Sequence, residues 1–140
     1  MSSVISQYAE SLITALCNAG LNAKRGFLAQ FVEDIQSYPF IALQNSKESN
    51  GKNTDRTVTA DRNMLLLISV KAGFNQDDEM DAALLSVRSS LMKGKRVLHL
   101  GNAPTEGKFS VGDPEFFIPE GADHLYVCQV PITIQYTDTL

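Results

Sequence analysis

His99 and His124 are the chain's two histidines, and both fall at strand ends beside turn-forming residues. With Asp113, Glu115 and Asp123 they supply the residue types of a metal site or an acid–base pair. Metal ligands must converge, and these five show no ligand spacing. The plainer reading is two partly exposed histidines in a β-rich region. Asp77, Asp78, Glu79 and Asp81 form a second cluster. Paired carboxylates do general acid–base work when burial separates their pKa values. At the start of a helix the same residues cap it and complement its dipole, and that reading is preferred. Lys93, Lys95 and Arg96 complement the other end, with a charged patch for a partner as the second reading. Phe116, Phe117, Tyr126 and Tyr136 have the rings of a base-stacking platform, but no Lys or Arg interleaves them. Tyr126 and Tyr136 also share the apolar parity of their strand, which places them in a core.

Other constellations are missing from the sequence. There is no GxxxxGK[ST], GxSxG or HExxH, and the glycines around Gly101 and Gly107 do not follow the dinucleotide fingerprint. Cys17 and Cys128 lie in apolar stretches outside any CxxC or CxxH spacing. They read as free, buried thiols in preference to zinc ligands or a disulfide. The sequence therefore nominates no catalytic, cofactor-binding or metal-binding residue, and no cofactor.

The elements that would position a site come from periodicity. At 140 residues the chain is read as one domain, 1–140, with an ordinary apolar fraction of 44%. A net charge of −4 argues against a dedicated nucleic-acid binder, whose footprint is basic, without excluding DNA close by. Val4, Ile5, Tyr8, Leu12, Ile13 and Leu16 stripe a first helix over 3–19, with Gly20 as a left-handed stop. Glu10 inside that stripe, and no basic residues before it, mark an amphipathic helix instead of a signal peptide. No apolar run approaches the ~18 residues of a membrane span, so a soluble cytoplasmic product without a membrane partner is expected.

Phe27, Phe31 and Ile35, with Leu28 and Val32, predict a second helix over 23–36 that ends before Pro39. Strands follow at 39–45 and 58–71. Asn75 caps a helix over 76–93, with Gly94 as its stop. Short strands fit 97–100 and 115–118, with loop over most of 101–113. The closing strand, 125–136, alternates cleanly, and Pro131 puts it at a sheet edge or on a bulge. Without regular βαβ alternation the class is α+β: a mainly antiparallel sheet with two or three helices packed on one face.

Two features of this pattern stand out. Lys47 to Arg56, KESNGKNTDR, has no apolar side chain, yet it joins two strands that want burial. Lengthening a hairpin connection to about ten residues costs only ~1.4 kcal/mol in closure entropy, so a flexible polar arm over about 46–58 is expected. The strand after it is apolar on both faces at Leu65 and Leu67. Leaving those two in water would forgo about 1.5–3 kcal/mol each, so a sister subunit is expected to cover them.

The stretches PFIALQN, the polar arm, ADRNMLLLISVKAG, DDEMDAALLSVRSSLM and GADHLYVCQVPITIQY stand in this order behind an amphipathic first helix. Together they resemble the tail terminator proteins of long-tailed bacteriophages, the minor tail protein U family. The chain departs from that pattern in the apolar stretch 25–36 and in a longer region between Gly101 and Asp123. The resemblance implies a non-enzymatic virion protein, made in the host cytoplasm. It would form a homohexameric ring on the head-proximal end of the tail tube and stop tube polymerisation. Its partners would be copies of itself, the tail tube protein and the head–tail connector, with DNA passing through the bore without sequence-specific binding. Leu65 and Leu67 would then be subunit contacts, and Lys47, Lys52 and Arg56 partner contacts. The alternatives are another head–tail joining or tail-completion protein, or a small enzymatic or ligand-binding domain using the region of His99 and His124.

Overall fold

The computed structural model describes the backbone of residues 3–97, 99–100, 103–104 and 109–140, and the side chains of 3–91 and 109–140. Helix α1 is Val4–Asn18, with the Ser3 hydroxyl accepting from the Ser6 N–H at 3.3 Å. Its stripe Ile5, Tyr8, Ala9, Leu12 and Leu16 is buried. Gly20, at φ +86°, ends it. The Leu21 N–H returns to the Leu16 carbonyl at 3.1 Å and the Gly20 N–H to Cys17 at 3.0 Å, the paired bonds of a Schellman stop. Cys17 is a free thiol on the exposed side of α1, not a buried one; Cys128 is buried, and that burial pushes its thiol up to about 11.

The second predicted helix does not form. Asn22–Arg25 is strand β1, followed by a 3-10 turn at Leu28–Gln30. Gly26 sits at φ +139°, where L side chains rarely go, and an added Cβ would lie 2.8 Å from Gln30 Oε1. That breaks the helical path between the two halves of the stripe. The apolar periodicity still has a use: Leu28, Phe31, Val32 and Ile35 pack on the sheet.

The sheet consists of β1, β2 (Phe40–Asn53), β3 (Thr57–Lys71) and three strands after the second helix. Helix α2, Gln76–Val97, carries Met80, Ala83, Leu84, Val87 and Leu91 into the core. It continues past Gly94, where glycine costs about 1 kcal/mol against alanine but does not stop it. Next come β4 (His99–Leu100) and β5 (Ala103–Pro104), a separate two-stranded pair, then β6 (Phe109–Val111), β7 (Glu115–Phe117) and β8 (Leu125–Thr139). The predicted strand 97–100 is thus helix at Val97 and strand at His99 and Leu100; Leu98 lies outside the described residues. The sheet order is β1-β2-β3-β8-β6, with β7 also on β8; β1 and β2 are parallel and the other pairs antiparallel. The class is α+β, as expected, with two α-helices among the described residues packed on one face of a mainly antiparallel sheet.

β8 tolerates Pro131 because of where its neighbours stop. β6 pairs with Ile132–Ile134 and β7 with Val127–Gln129. The Pro131 carbonyl points to that outer side and accepts from the Gly112 N–H at 2.7 Å. Its ring nitrogen points the same way, into the gap between the two short strands, so no ladder bond is lost.

Both faces of the sheet are covered near β1. On one side α1 and α2 pack on Ile41, Leu43, Met64, Leu66, Ile68, Val130 and Ile132. On the other, the 28–35 segment and Ala122 cover Phe40, Ala42, Leu67, Leu125 and Val127. Leu67 is only 5% exposed, so the chain itself supplies the cover expected from a sister subunit. Leu65, two residues earlier on the same side of β3, is half-buried. Ser69 lies on the same side, fully buried, and its hydroxyl has no hydrogen-bond partner among the described residues.

These placements set opposite signs for two neighbouring substitutions. Leu67→Ala should cost about 2–5 kcal/mol in urea unfolding of dilute protein, whereas Ser69→Ala should be neutral or stabilise by up to about 1 kcal/mol. A Leu67→Ala loss that appears only at concentrations where the protein associates would mean that another copy covers this face.

Candidate functional site

The residue types that suggested chemistry do not assemble. His124 is exposed, and its carbonyl accepts from the Ala72 N–H at 2.8 Å. His99 pairs with Pro104 through the backbone; its side chain, like those of Lys93, Lys95 and Arg96, lies outside the described ones. Asp113, Glu115 and Asp123 are exposed, and no group of three His, Cys, Asp or Glu able to hold a metal occurs among the described residues. Asp77, Asp78 and Glu79 occupy the first turn of α2. Burial, then the charge and hydrogen bond of Asp77, push the Tyr126 phenol up. No helix among the described residues is long and apolar enough to cross a membrane.

The distinctive feature is the segment expected to be a loose arm. β2 continues to Asn53 and β3 begins at Thr57, leaving a turn of Thr54, Asp55 and Arg56. The Thr54 N–H donates to the Thr57 carbonyl at 2.8 Å, and the Thr54 hydroxyl accepts from the Thr57 N–H at 3.0 Å. β8 runs beside β3 along its whole length, from Lys71↔Leu125 to Thr57↔Thr139, and the Leu140 N–H reaches the Arg56 carbonyl at 2.6 Å. A three-stranded ribbon therefore projects beyond the covered part of the sheet. Asn, Gly and Lys are poor strand formers, and here an ordered neighbour carries them. Register shifts after Asn45 and Ser49 absorb the extra residues; Asn50, at φ +56°, donates to Asp61 at 2.7 Å.

One ribbon face points away from the helices. It carries Lys47, Ser49 and Lys52 on β2, Thr59, Asp61 and Asn63 on β3, and Thr133, Gln135 and Thr137 on β8. Cross-strand bonds tie it together: the Thr59 and Thr137 hydroxyls meet at 2.8 Å, Thr133 donates to Asn63 at 2.9 Å, and Asn63 donates to Ser49 at 3.2 Å. The helix-side face is clamped by one network. The Tyr136 hydroxyl donates to Glu48 Oε1, which also accepts from Arg62 Nε at 3.2 Å. Arg62 Nη1 donates to Asn45 Oδ1 at 3.1 Å, and the guanidinium lies 5.9 Å from the Tyr136 ring centroid. The Glu48–Arg62 pair is partly exposed and contributes under about 1 kcal/mol by itself. Burial first, then the Glu48 hydrogen bond and charge, raise the Tyr136 pKa.

The sheet's two edges differ. β1 covers β2 only at Phe40–Leu43; from Gln44 to Asn53 no strand lies on the outer side among the described residues. That edge is polar. The opposite edge, β6 and β7, is apolar: Phe116, Phe117 and Ile118 are 45%, 38% and 50% exposed, with Val111 exposed beside them. Phe116 stacks on Tyr126 at 6.3 Å between centroids. Of the residues proposed as contacts from the sequence, Lys47, Lys52 and Arg56 are exposed on the ribbon, Leu65 keeps some free surface, and Leu67 does not. The sequence reading placed Phe116 and Phe117 in a short strand and weighed them as a base-stacking platform, without identifying 116–118 as an exposed sheet edge. Their exposure on both sides follows from β7 being an edge strand of three residues.

Tyr136→Phe should cost about 1.5–3 kcal/mol at neutral pH, since the lost bond has a charged acceptor. The folded phenol titrates above its ordinary value of 10, so the folded state holds this proton more tightly. The wild-type advantage should therefore be constant below pH 10 and shrink as pH rises through the folded pKa, measured by urea unfolding of both proteins across that range. No family model matches the chain, and a search of curated proteins also finds no match.

Proposed function

We propose that the chain is a structural subunit that assembles head to tail into a ring, and that the ring serves as a phage tail terminator. The observation that carries the ring is the pair of open, unlike sheet edges: a polar one on β2 and an apolar one on β6 and β7. Exposed edges are association hazards that proteins cover, pair or charge. A contact between unlike surfaces cannot close on itself as a two-fold dimer; it continues from copy to copy and forms a ring when the rotation closes. Covering Phe116, Phe117 and Ile118 favours such a contact by roughly 1 kcal/mol each, about half the value for full burial.

The tail-terminator assignment adds the sequence resemblance to that geometry. In this reading the chain is non-enzymatic, and ring size is six. The ribbon is the part that reaches neighbouring proteins. Its uncovered face presents Lys47 and Lys52 above a polar ladder, with Arg56 at the tip, for contact with the tail tube or the head–tail connector. A ring of this kind ends polymerisation by geometry: one face complements the tube and the other does not repeat it. DNA passes through the bore without being read.

Negative-stain microscopy of the wild-type protein should show annuli, and Phe117→Asp with Ile118→Asp should abolish the annuli while leaving far-UV circular dichroism unchanged. A wild type that stays monomeric at every concentration would remove the ring. Lys47→Glu with Lys52→Glu should leave rings intact and abolish their binding to isolated tail tubes. Rings that bind tubes without halting their growth would point to a head–tail joining or tail-completion role instead.

A further inference from the structure

Asn50 is the chain's one asparagine followed by glycine, and the pair forms a bulge in β2. Ser49 is paired with Asp61 and Lys52 with Thr59, so Asn50 and Gly51 together lie opposite Ala60. Both are exposed, on the stretch of β2 whose outer side no strand covers among the described residues. Asn50 stands at φ +56°, a left-handed geometry that asparagine tolerates better than most residues. Its side-chain amide donates to Asp61 Oδ2 at 2.7 Å. The glycine has no such duty. Gly51 lies outside the left-handed region, and an added Cβ would meet nothing within 4 Å. Glycine also weakens a strand. Neither backbone geometry nor packing calls for it at this position. What glycine does supply is a backbone N–H without a side chain to shield it, directly after the Asn50 amide.

We propose that Asn50–Gly51 is a self-modification site, where the Asn50 amide becomes a carboxylate and releases the outer part of the ribbon. The Gly51 backbone nitrogen bonds to Asn50 Cγ and gives up its proton. The bond from Cγ to Nδ2 breaks, and ammonia leaves with that proton. Water, admitted by the open edge, then adds to one of the two carbonyls of the cyclic imide and opens it. One opening leaves aspartate. The other leaves isoaspartate, whose main chain runs through Cγ and gains a methylene.

Either product reverses the contact that holds the bulge. Asp61 loses its donor and meets a carboxylate, and like charges opposed across strands destabilise the pairing. Isoaspartate also lengthens β2 between Ser49 and Lys52, where the register is already shifted. The pairs Lys52↔Thr59 and Asn53↔Val58 lie beyond that point and are the ones released. A negative charge then stands between Lys47 and Lys52. Its effect on partner contact rests on the reading of the ribbon given above; the conversion and the release do not.

The test holds full-length protein at mildly alkaline pH, digests it with trypsin and follows peptide 48–52 by mass spectrometry, with fragmentation that separates aspartate from isoaspartate. The amide-to-acid mass shift should accumulate at Asn50 in the folded wild type. It should form about tenfold more slowly in Gly51→Ala, which the open space at that position accommodates. Amide exchange reads the release. Asn50→Asp should exchange about tenfold faster than wild type over Lys52–Thr59, and adding Asp61→Asn, which restores the bond with donor and acceptor swapped, should bring the rate back. Both measurements use the isolated chain, so their outcome is separate from that of ring assembly and tube binding. An Asn50 that keeps its amide in the folded protein, conversion undiminished in Gly51→Ala, or wild-type exchange in Asn50→Asp would overturn the proposal.

Discussion

The uninterrupted pairing of β3 with β8 is the constraint on which the remaining structure rests. Thr57 to Lys71 and Leu125 to Thr139 stay in register from end to end. Because side chains alternate across a strand, one fixed register decides both faces at once. Met64, Leu66 and Ile68 fall beside Ile132, Val130 and Cys128 under the helices. Leu67 and Val127 fall on the opposite side, where the irregular 28–35 segment meets them. A slip of one residue would turn each set to the wrong layer. The same ladder extends beyond the hydrophobic part and holds β2's polar half in extended form, so the ribbon depends on the long pair at its centre.

Legibility in the sequence tracked how much of each element's stability is local. α1 and α2 carry their stripes, their stop or acidic first turn, and little else is needed to recognise them. β3, apolar on both faces at its middle, was read to within one residue, and β8, which alternates cleanly, was read correctly at its start and three residues short at its end. Lys47–Asn53 was unreadable for the opposite reason: nothing in KESNGKN favours a strand, and its extended form comes from Thr57–Asn63 alongside it. The signal that could have helped lay in that partner, where Thr57, Thr59 and Asp61 match the polar Thr133–Thr139 at the end of β8. The 23–36 stretch failed differently. Its spacing is helical and its apolar residues are used, but Gly26 in a left-handed geometry and the parallel pairing of β1 with β2 redirect the backbone.

The same division separates what was visible of the surface from what was not. Lys47, Lys52 and Arg56 were recognisable as exposed because charge is seldom buried unpaired. Which leucines needed a partner could not be read, since Leu65 and Leu67 share one parity on the strand and part only in the fold, where Leu67 is buried with the 28–35 segment and Leu65 is half-buried. The apolar outer edge became apparent only once β7 was seen to be three residues long with no strand beyond it among the described residues.

The Val4 N–H donates to Asp138 Oδ2 at 3.0 Å, and Leu140 is bonded to Arg56 at the hairpin's tip. Residues 4 and 138 are thus neighbours in space although they lie near opposite ends of the sequence. Such closeness makes the fold a good candidate for circular permutation: a short Gly/Ser bridge could join the two, with the backbone reopened elsewhere. Opened between β3 and β8, the rewired chain would keep both strands of that ladder whole and reverse the order in which they are made.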